Sequence, residues 1–269
     1  MSINFAGLTL NNPYLAASGC FGYGGELENI FQNQKWGGCV SKTITVEKRD
    51  GNPPPRIFET EGGIINRIGL QNCGLTNFLS KELPRIKNLP YPVIVSIFGN
   101  TIDEWKTLLT TLEENNVPAV ELNLSCPNLK GEVVVRNIDL CTNIVRELKK
   151  ISGIPVIAKI NAIYSPVELS CGLKEAGIDG IVCSNTFPAG VYHNGKFYEG
   201  GLSGPAIKPV VLKTIFKIKE NVDIDLAACG GIWNSSDIED YRSAGARAFV
   251  LGSVLLTNPD TISDFTTAF

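Results

Sequence analysis

The sequence predicts an α/β protein built as a closed (β/α)8 TIM barrel with extra loops over its mouth. Three observations carry that prediction. Eight short apolar runs are distributed along the 269 residues. Stretches of helical period separate most of them. Two segments also share one pattern, Ala176-Gly177-Ile178-Asp179-Gly180-Ile181-Val182 and Ala244-Gly245-Ala246-Arg247-Ala248-Phe249-Val250, in which a glycine closes a helix just before a strand. Runs that are apolar at every position indicate parallel strands covered on both faces. A barrel of this kind uses about 250 residues, so residues 1–269 read as a single domain.

In chain order the candidate strands are Tyr14–Ser18, Gly38–Lys42, Val93–Phe98, Ala119–Leu124, Val156–Ile160, Gly180–Ser184, Ile224–Ala228 and Ala248–Leu251. Between the third and fourth, Ile102, Trp105, Leu108, Leu109 and Leu112 fall on one helical face, and Thr101 with Glu104 reads as a capping box. Ile138, Cys141, Ile144, Val145 and Leu148 repeat the pattern after the fourth strand. After the fifth, Ser165 is the expected cap with Glu168 as its partner, and Pro166 stands at the first helical position. Two excursions exceed a minimal barrel, Thr43–Leu79 with Asn52-Pro53-Pro54-Pro55-Arg56 at its centre, and Thr186–Leu202. Long loops at the C-terminal ends of barrel strands are where such proteins build their sites.

Composition narrows the function classes. With 24 Lys and Arg against 27 Asp and Glu, the net charge of −3 gives no basic footprint for nucleic acid. No uninterrupted apolar stretch approaches the about 18 residues of a membrane span, and no signal-peptide pattern opens the chain. The eight cysteines form no CxxC pair and His193 is the only histidine, so neither a zinc site nor a disulfide framework is expected. Several cysteines sit in apolar runs, as in Ile181-Val182-Cys183, which reads as a reduced, cytoplasmic protein.

Polar or small residues end the strands, and in a barrel those ends converge on one mouth. Gly230-Gly231 and Gly252-Ser253 follow the last two strands, and Ser203-Gly204 precedes a helix. Glycines there let backbone N–H groups approach a phosphate, although tight turns alone would also use them. Lys42 and Lys159 each end an apolar run, where an ammonium needs an anionic partner, a task or a route to solvent. Cys126, in Asn123-Leu124-Ser125-Cys126-Pro127-Asn128, is a candidate general base at the mouth. The same position suits an inert buried thiol. Asn123 and Asn128 would match the amide or imide edge of a substrate.

Asn123-Leu124-Ser125-Cys126-Pro127-Asn128 resembles the catalytic-loop signature of class 1 dihydroorotate dehydrogenases. Ala17-Ser18-Gly19-Cys20-Phe21-Gly22, Gly51-Asn52-Pro53-Pro54-Pro55-Arg56, Asn66-Arg67-Ile68-Gly69-Leu70-Gln71-Asn72 and Gly200-Gly201-Leu202-Ser203-Gly204-Pro205-Ala206-Ile207-Lys208-Pro209 are similar to further family motifs. The resemblance implies FMN as cofactor and oxidation of dihydroorotate to orotate in pyrimidine synthesis. It implies Cys126 as the base taking the C5 proton while the C6 hydride passes to flavin N5, with Lys42 beside them. Ser18, Lys42, Thr43, Asn123, Lys159, Ser184, Gly204, Gly230, Gly231, Gly252 and Ser253 would contact FMN. Asn66, Arg67, Ile68, Gly69, Leu70, Asn123, Asn128, Asn185 and Thr186, with Lys42, would hold the substrate.

The motifs look closest to the NAD-linked subgroup, which implies a homodimer served by a separate FAD and 2Fe–2S subunit; fumarate is the other acceptor the family uses. Three stretches depart from the family pattern: Ser96 replaces an asparagine, and Leu129–Arg136 and Ile160–Tyr164 replace other loop sequences. Other readings are a flavin barrel acting on another dihydropyrimidine, a tRNA dihydrouridine synthase, and a non-catalytic barrel that binds phosphate ligands. The acidic balance weighs against the tRNA reading, and the last would have no use for Cys126 and both lysines.

Overall fold

The computed structural model describes residues 2–24, 36–125 and 134–258, together with 262 and 265. Eight strands form the barrel: β1 (Tyr14–Ala16), β2 (Gly38–Val40), β3 (Val93–Ile97), β4 (Val120–Asn123), β5 (Val156–Ile160), β6 (Gly180–Cys183), β7 (Asp225–Cys229) and β8 (Ala248–Leu251). Each is parallel to its neighbours in sequence order, and pairing of Leu251 with Ala16 closes the ring. All eight lie where the apolar runs predict them. The main difference is at their ends, where Ser18, Lys42 and Ser184 stand just beyond the ladder.

Side chains alternate between two apolar layers. Val156, Ala158 and Ile160 of β5 pack outward against the helices, while Ile157 points inward with Val40, Ile94, Val182 and Val250. The helix Ile102–Glu114 buries Trp105, Leu108, Leu109 and Leu112, and the helix Ile138–Lys149 buries Cys141, Ile144, Val145 and Leu148. These are the faces their 3.6-residue period selects. A hairpin, Ile3–Phe5 with Leu8–Leu10, closes the barrel floor, and its Phe5, Leu8 and Leu10 join the inner layer. Ala6 and Gly7 both have positive φ, the backbone of a tight hairpin turn.

The helix caps differ from expectation at two places. Thr101 accepts from the Glu104 N–H at 3.2 Å, but the Glu104 carboxylate receives the Asn100 N–H rather than that of Thr101. Ser165 adopts a left-handed conformation and makes no side-chain cap. Pro166 stands at the helix start, where its missing N–H costs no helical hydrogen bond. The reciprocal capping box is instead formed by Asn234 and Asp237. The paired glycine motifs behave alike: Ile178 N donates to Leu173 O, and Ala246 N donates to Tyr241 O.

The two long excursions form one structure. Hairpin Ile57–Thr60 with Gly63–Asn66 and hairpin Phe187–His193 with Lys196–Ser203 join as a four-stranded antiparallel sheet, through Gly201↔Asn66, Leu202↔Ile65 and Ser203↔Ile64. It stands at the C-terminal ends of the barrel strands. No helix among the described residues is long and apolar enough to cross a membrane.

Candidate active site

A cavity of about 1000 Å³ opens at the C-terminal end of the barrel, between the strand tips and the four-stranded sheet. Its wall includes Ser18, Lys42, Thr43, Asn123, Lys159, Asn185 and Thr186 from the strand ends, and the whole turn Asn66–Leu70 from the sheet. Residues more than a hundred positions apart meet there because parallel strands direct all their ends to one rim.

Thr43 is the hub of the polar network beneath this cavity. Its hydroxyl lies 2.9 Å from Ser96 Oγ and 3.5 Å from Ser18 Oγ, and receives the Asn123 side-chain amide at 3.1 Å. Asn185 Nδ2 donates to Asn123 Oδ1 at 3.2 Å, and Asn185 Oδ1 receives the Thr186 N–H at 2.8 Å. Both amides are therefore held in one orientation before any ligand arrives. Ser96 completes the network. Asn66 Nδ2 donates to Gly201 O at 3.1 Å and so ties its turn to the second hairpin.

The turn itself is strained. Gly69 and Leu70 both have positive φ, and at Leu70 a branched side chain occupies a conformation that suits glycine. Leu70 O accepts Asn72 Nδ2 at 2.8 Å, which helps to hold it there.

The cavity is strongly cationic. Its described lining carries Lys42, Arg49, Arg67, Arg136 and Lys159 against a single acid, Glu199. Lys42 Nζ donates to Gln71 Oε1 at 3.4 Å, and Arg56 shares that acceptor at 2.7 Å. Lys159 is 7% exposed, and its backbone carbonyl receives the Ser125 hydroxyl at 3.3 Å. Such a set suits ligands bearing carboxylate or phosphate, and it stabilises negative charge that develops beside it.

Ser184, Gly204, Gly230, Gly231, Gly252 and Ser253 are not on the cavity wall. Ser184, Gly230-Gly231 and Gly252-Ser253 follow the C-terminal ends of β6, β7 and β8, and Gly204 follows the strand Lys196–Ser203, a glycine rim at the same end of the barrel. Ser184 Oγ accepts the Ala162 N–H and donates to Asn185 O, which sets the height of the β6 tip. A Cβ at Gly204 would stand 2.6 Å from Gly63 Cα, at Gly230 2.8 Å from Ile207 Cδ1, and at Gly231 2.5 Å from Lys208 Cβ, and all three have positive φ. Tyr241 Oη donates to Gly230 O at 2.6 Å. Gly252 differs, since a Cβ there would meet only Ala17 Cβ at 3.5 Å. Its glycine is not demanded by packing, which leaves open backbone beside Ser18.

The sequence profile described as dihydroorotate dehydrogenase matches residues 1–267. The chain belongs to this family. Among its relatives are proteins named dihydroorotate dehydrogenase B (NAD(+)), catalytic subunit, from three bacteria. That of Endomicrobium trichonymphae is 40% identical over 270 residues, covering 97% of this chain and 88% of the relative. That of Halalkalibacterium halodurans is 36% identical over 272 residues, covering 96% and 88%. That of Petrotoga mobilis is 36% identical over 274 residues, covering 97% and 90%.

Two residues that the family motif selects, Cys126 and Asn128, lie outside the described residues. Others line the cavity without having been singled out from sequence, notably Arg49, Arg136, Asn161 and Tyr164. Arg49 sits in Glu47-Lys48-Arg49-Asp50, which reads as a solvated charge run, yet its guanidinium donates to Asn100 Oδ1 at 3.0 Å and lies over the Phe98 ring. Asn161 Nδ2 donates to Thr186 O at 2.9 Å, a bond between neighbouring tips that only the closed barrel creates.

Proposed function

We propose that this chain oxidises dihydroorotate to orotate in pyrimidine synthesis, using FMN held at the barrel mouth. The observation that carries the reading is the convergence of Lys42, Lys159, Asn123 and Asn185 on one cationic cavity beside the glycine rim. FMN fits the residues present: the crowded, positive-φ glycines 204, 230 and 231 and the open backbone at Gly252 and Ser253 offer N–H groups to a phosphate. Ser18, Thr43 and Ser184 would complete its polar contacts, and Lys42 and Lys159 would face the ring. Bound FMN supplies the acceptor for the hydride that leaves C6 of the substrate.

The chain's own residues do the rest. Asn66, the backbone of Arg67 to Leu70, Asn123, Asn128, Asn185 and Thr186 would grip the carboxylate and the imide edge. The fixed positive charge of Lys42 would orient the carboxylate. Cys126, bonded directly to the chain after Ser125 on the cavity wall, would act as thiolate and take the C5 proton. Loss of that proton and of the C6 hydride creates the C5–C6 double bond of orotate.

The names of the relatives, which give NAD(+) and a catalytic subunit, support NAD as final acceptor through a second subunit. That this subunit carries FAD and a 2Fe–2S cluster, and that this chain is a homodimer, is what the family resemblance implies. Free thiols at all seven described cysteines support a reducing compartment such as the cytoplasm. The deciding experiment is anaerobic titration of purified, FMN-reconstituted protein with dihydroorotate. Bleaching of the flavin absorbance with stoichiometric release of orotate is the expected result. A chain that takes up FMN but is not reduced by dihydroorotate would contradict the proposal.

A further inference from the structure

Glu121 stands in the interior of the barrel at 1% exposure. Its place follows from register. Glu121 pairs with Ser96 on β3 and with Ile157 on β5, and Asn123 pairs with Lys159. Since Ile157 belongs to the inner layer, Glu121 and Lys159 point inward as diagonal neighbours, two residues apart along adjacent strands. Lys159 lines the cavity, whereas Glu121 lies one step deeper.

Neither Glu121 carboxylate oxygen has a hydrogen-bond partner among the described residues. The Ser96 hydroxyl across the ladder lies 2.9 Å from Thr43 Oγ1, where either oxygen can be the donor, and is close enough to the Glu121 carboxyl to favour its ionised form. A carboxylate buried without such partners is costly, and nothing in the fold requires an acid here. Burial raises its pKa above the usual carboxylate range, while the Lys159 charge and the nearby Ser96 hydroxyl oppose the rise. The other titratable groups within electrostatic reach are thiols: Cys229 on β7, whose own pKa burial raises, and Cys20, which interacts with both Lys159 and Cys229.

We propose that Glu121 is a positioning residue for Lys159: a buried acid whose ionisation sets how much lysine charge reaches the flavin ring, and so the reduction potential of bound FMN. The inference rests on the functional reading above, in which FMN lies over Lys159. Neutral Glu121 leaves more of the lysine charge to act on the ring and favours reduced flavin. Ionised Glu121 offsets that charge and disfavours it. By linkage, the negative charge gained on flavin reduction raises the Glu121 pKa further, so reduction is accompanied by proton uptake at this carboxyl.

The test is the midpoint potential of bound FMN against pH, in wild type and Glu121→Gln, each repeated in a Lys159→Met background. Glu121→Gln is expected to retain FMN. Above the Glu121 titration it should favour reduced over oxidised FMN by about tenfold more than wild type, equivalent to about 30 mV for a two-electron couple. The gap should close toward acid pH, where wild-type Glu121 is also neutral, and should shrink in the Lys159→Met background, where loss of the lysine charge keeps the buried Glu121 neutral to higher pH. Overlapping curves at every pH, or one constant offset that persists in Lys159→Met, would overturn the inference. Should Glu121→Gln fail to fold, the wild-type infrared difference spectrum decides, because a carboxylic-acid band must change on flavin reduction. A wild-type chain that takes up no FMN overturns the functional reading as well; FMN uptake with overlapping curves overturns this inference alone.

Discussion

Arg136 holds its guanidinium over the Tyr164 ring at 4.7 Å and donates to the Tyr164 hydroxyl at 2.9 Å. The two residues end the two loop stretches that depart from the family pattern, Leu129–Arg136 and Ile160–Tyr164, and both line the cavity. The two stretches therefore meet through this one contact. They add a cation to the mouth of an already positive site.

Arg136→Ala should therefore weaken orotate binding while leaving the rate of flavin reduction at saturating substrate nearly unchanged. Arg136 is solvent-exposed, so the effect should stay within about fivefold, the ~1 kcal/mol that an exposed charge contact contributes. Tyr164→Phe, which keeps the ring and removes the hydroxyl, should lose less. Calorimetric titration with orotate measures both. Equal affinity in Arg136→Ala and wild type would remove Arg136 from the site.

The glycine rim offers a contrast between two alanine substitutions. At Gly231, φ is +67° and an added Cβ meets Lys208 Cβ at 2.5 Å, with the Lys208 backbone at 2.9 Å. Lys208 is itself pinned by ion pairs to Asp237 and Asp240, so it has little room to yield. Gly231→Ala should cost at least the roughly 1–2 kcal/mol of a left-handed non-glycine residue, with a lower Tm and poorer FMN retention. Gly252→Ala meets only an ordinary contact, so its Tm should match wild type and any loss should be confined to FMN affinity. Identical melting and FMN content in all three proteins would contradict the assignment.

Lys42→Ala should harm turnover more than flavin retention. The rim and Lys159 would still hold FMN, whereas the fixed charge at the junction with the substrate is lost. Bound FMN per chain and kcat, determined on the same preparation, should show near-full occupancy with a strongly reduced rate. Wild-type turnover in this variant would displace Lys42 from the reacting centre.

The barrel was legible because every one of its signals is local: an apolar run, a helical period, a glycine that ends a helix. The tip residues followed once the strands were placed, since parallel strands converge whatever their loops do. What local reading missed depends on long-range pairing. Asn194-Gly195, both at positive φ, is a strong hairpin signal that went unused inside a segment read only as an excursion. Even with that hairpin foreseen, its pairing with Gly63–Asn66 joins residues more than 130 positions apart, and neither strand announces the other. Glu121 was hidden for the opposite reason. In Glu121-Leu122-Asn123 it passes for the polar half of an alternating strand, and only closure of the barrel shows that its side chain faces inward.

Cys126→Ser is expected to keep FMN and lose most dihydroorotate oxidation near neutral pH. Other cysteines are poor substitutes for the base: burial pushes the Cys141 thiol up to about 12 and raises those of Cys183 and Cys229 as well. A serine hydroxyl is a much weaker base, and positioned general bases contribute about 10² to 10⁴ in rate. The deficit should narrow at alkaline pH, where solvent hydroxide can take the proton. Stopped-flow flavin reduction in the variant at neutral pH gives the answer, and an unchanged rate there would assign the base elsewhere.

The last prediction concerns the route by which electrons leave. The chain has no GxGxxG fingerprint after its first strand and no cysteine cluster of the kind that ligates iron and sulfur. Its cysteines lie apart in sequence, and the seven described ones are divided among barrel strands, two helices and separate loops. The relatives carry NAD(+) in names that also specify a catalytic subunit, which points to relay through a second protein. The purified chain alone should therefore be reduced by dihydroorotate yet pass electrons to NAD only slowly, and addition of an FAD and 2Fe–2S subunit from the same source should restore rapid NAD reduction. The assay is orotate formation with NAD, with fumarate, and with each plus the second subunit. Fast turnover with fumarate, or with NAD and no second protein, would refute the partner reading and place the exit route within this chain.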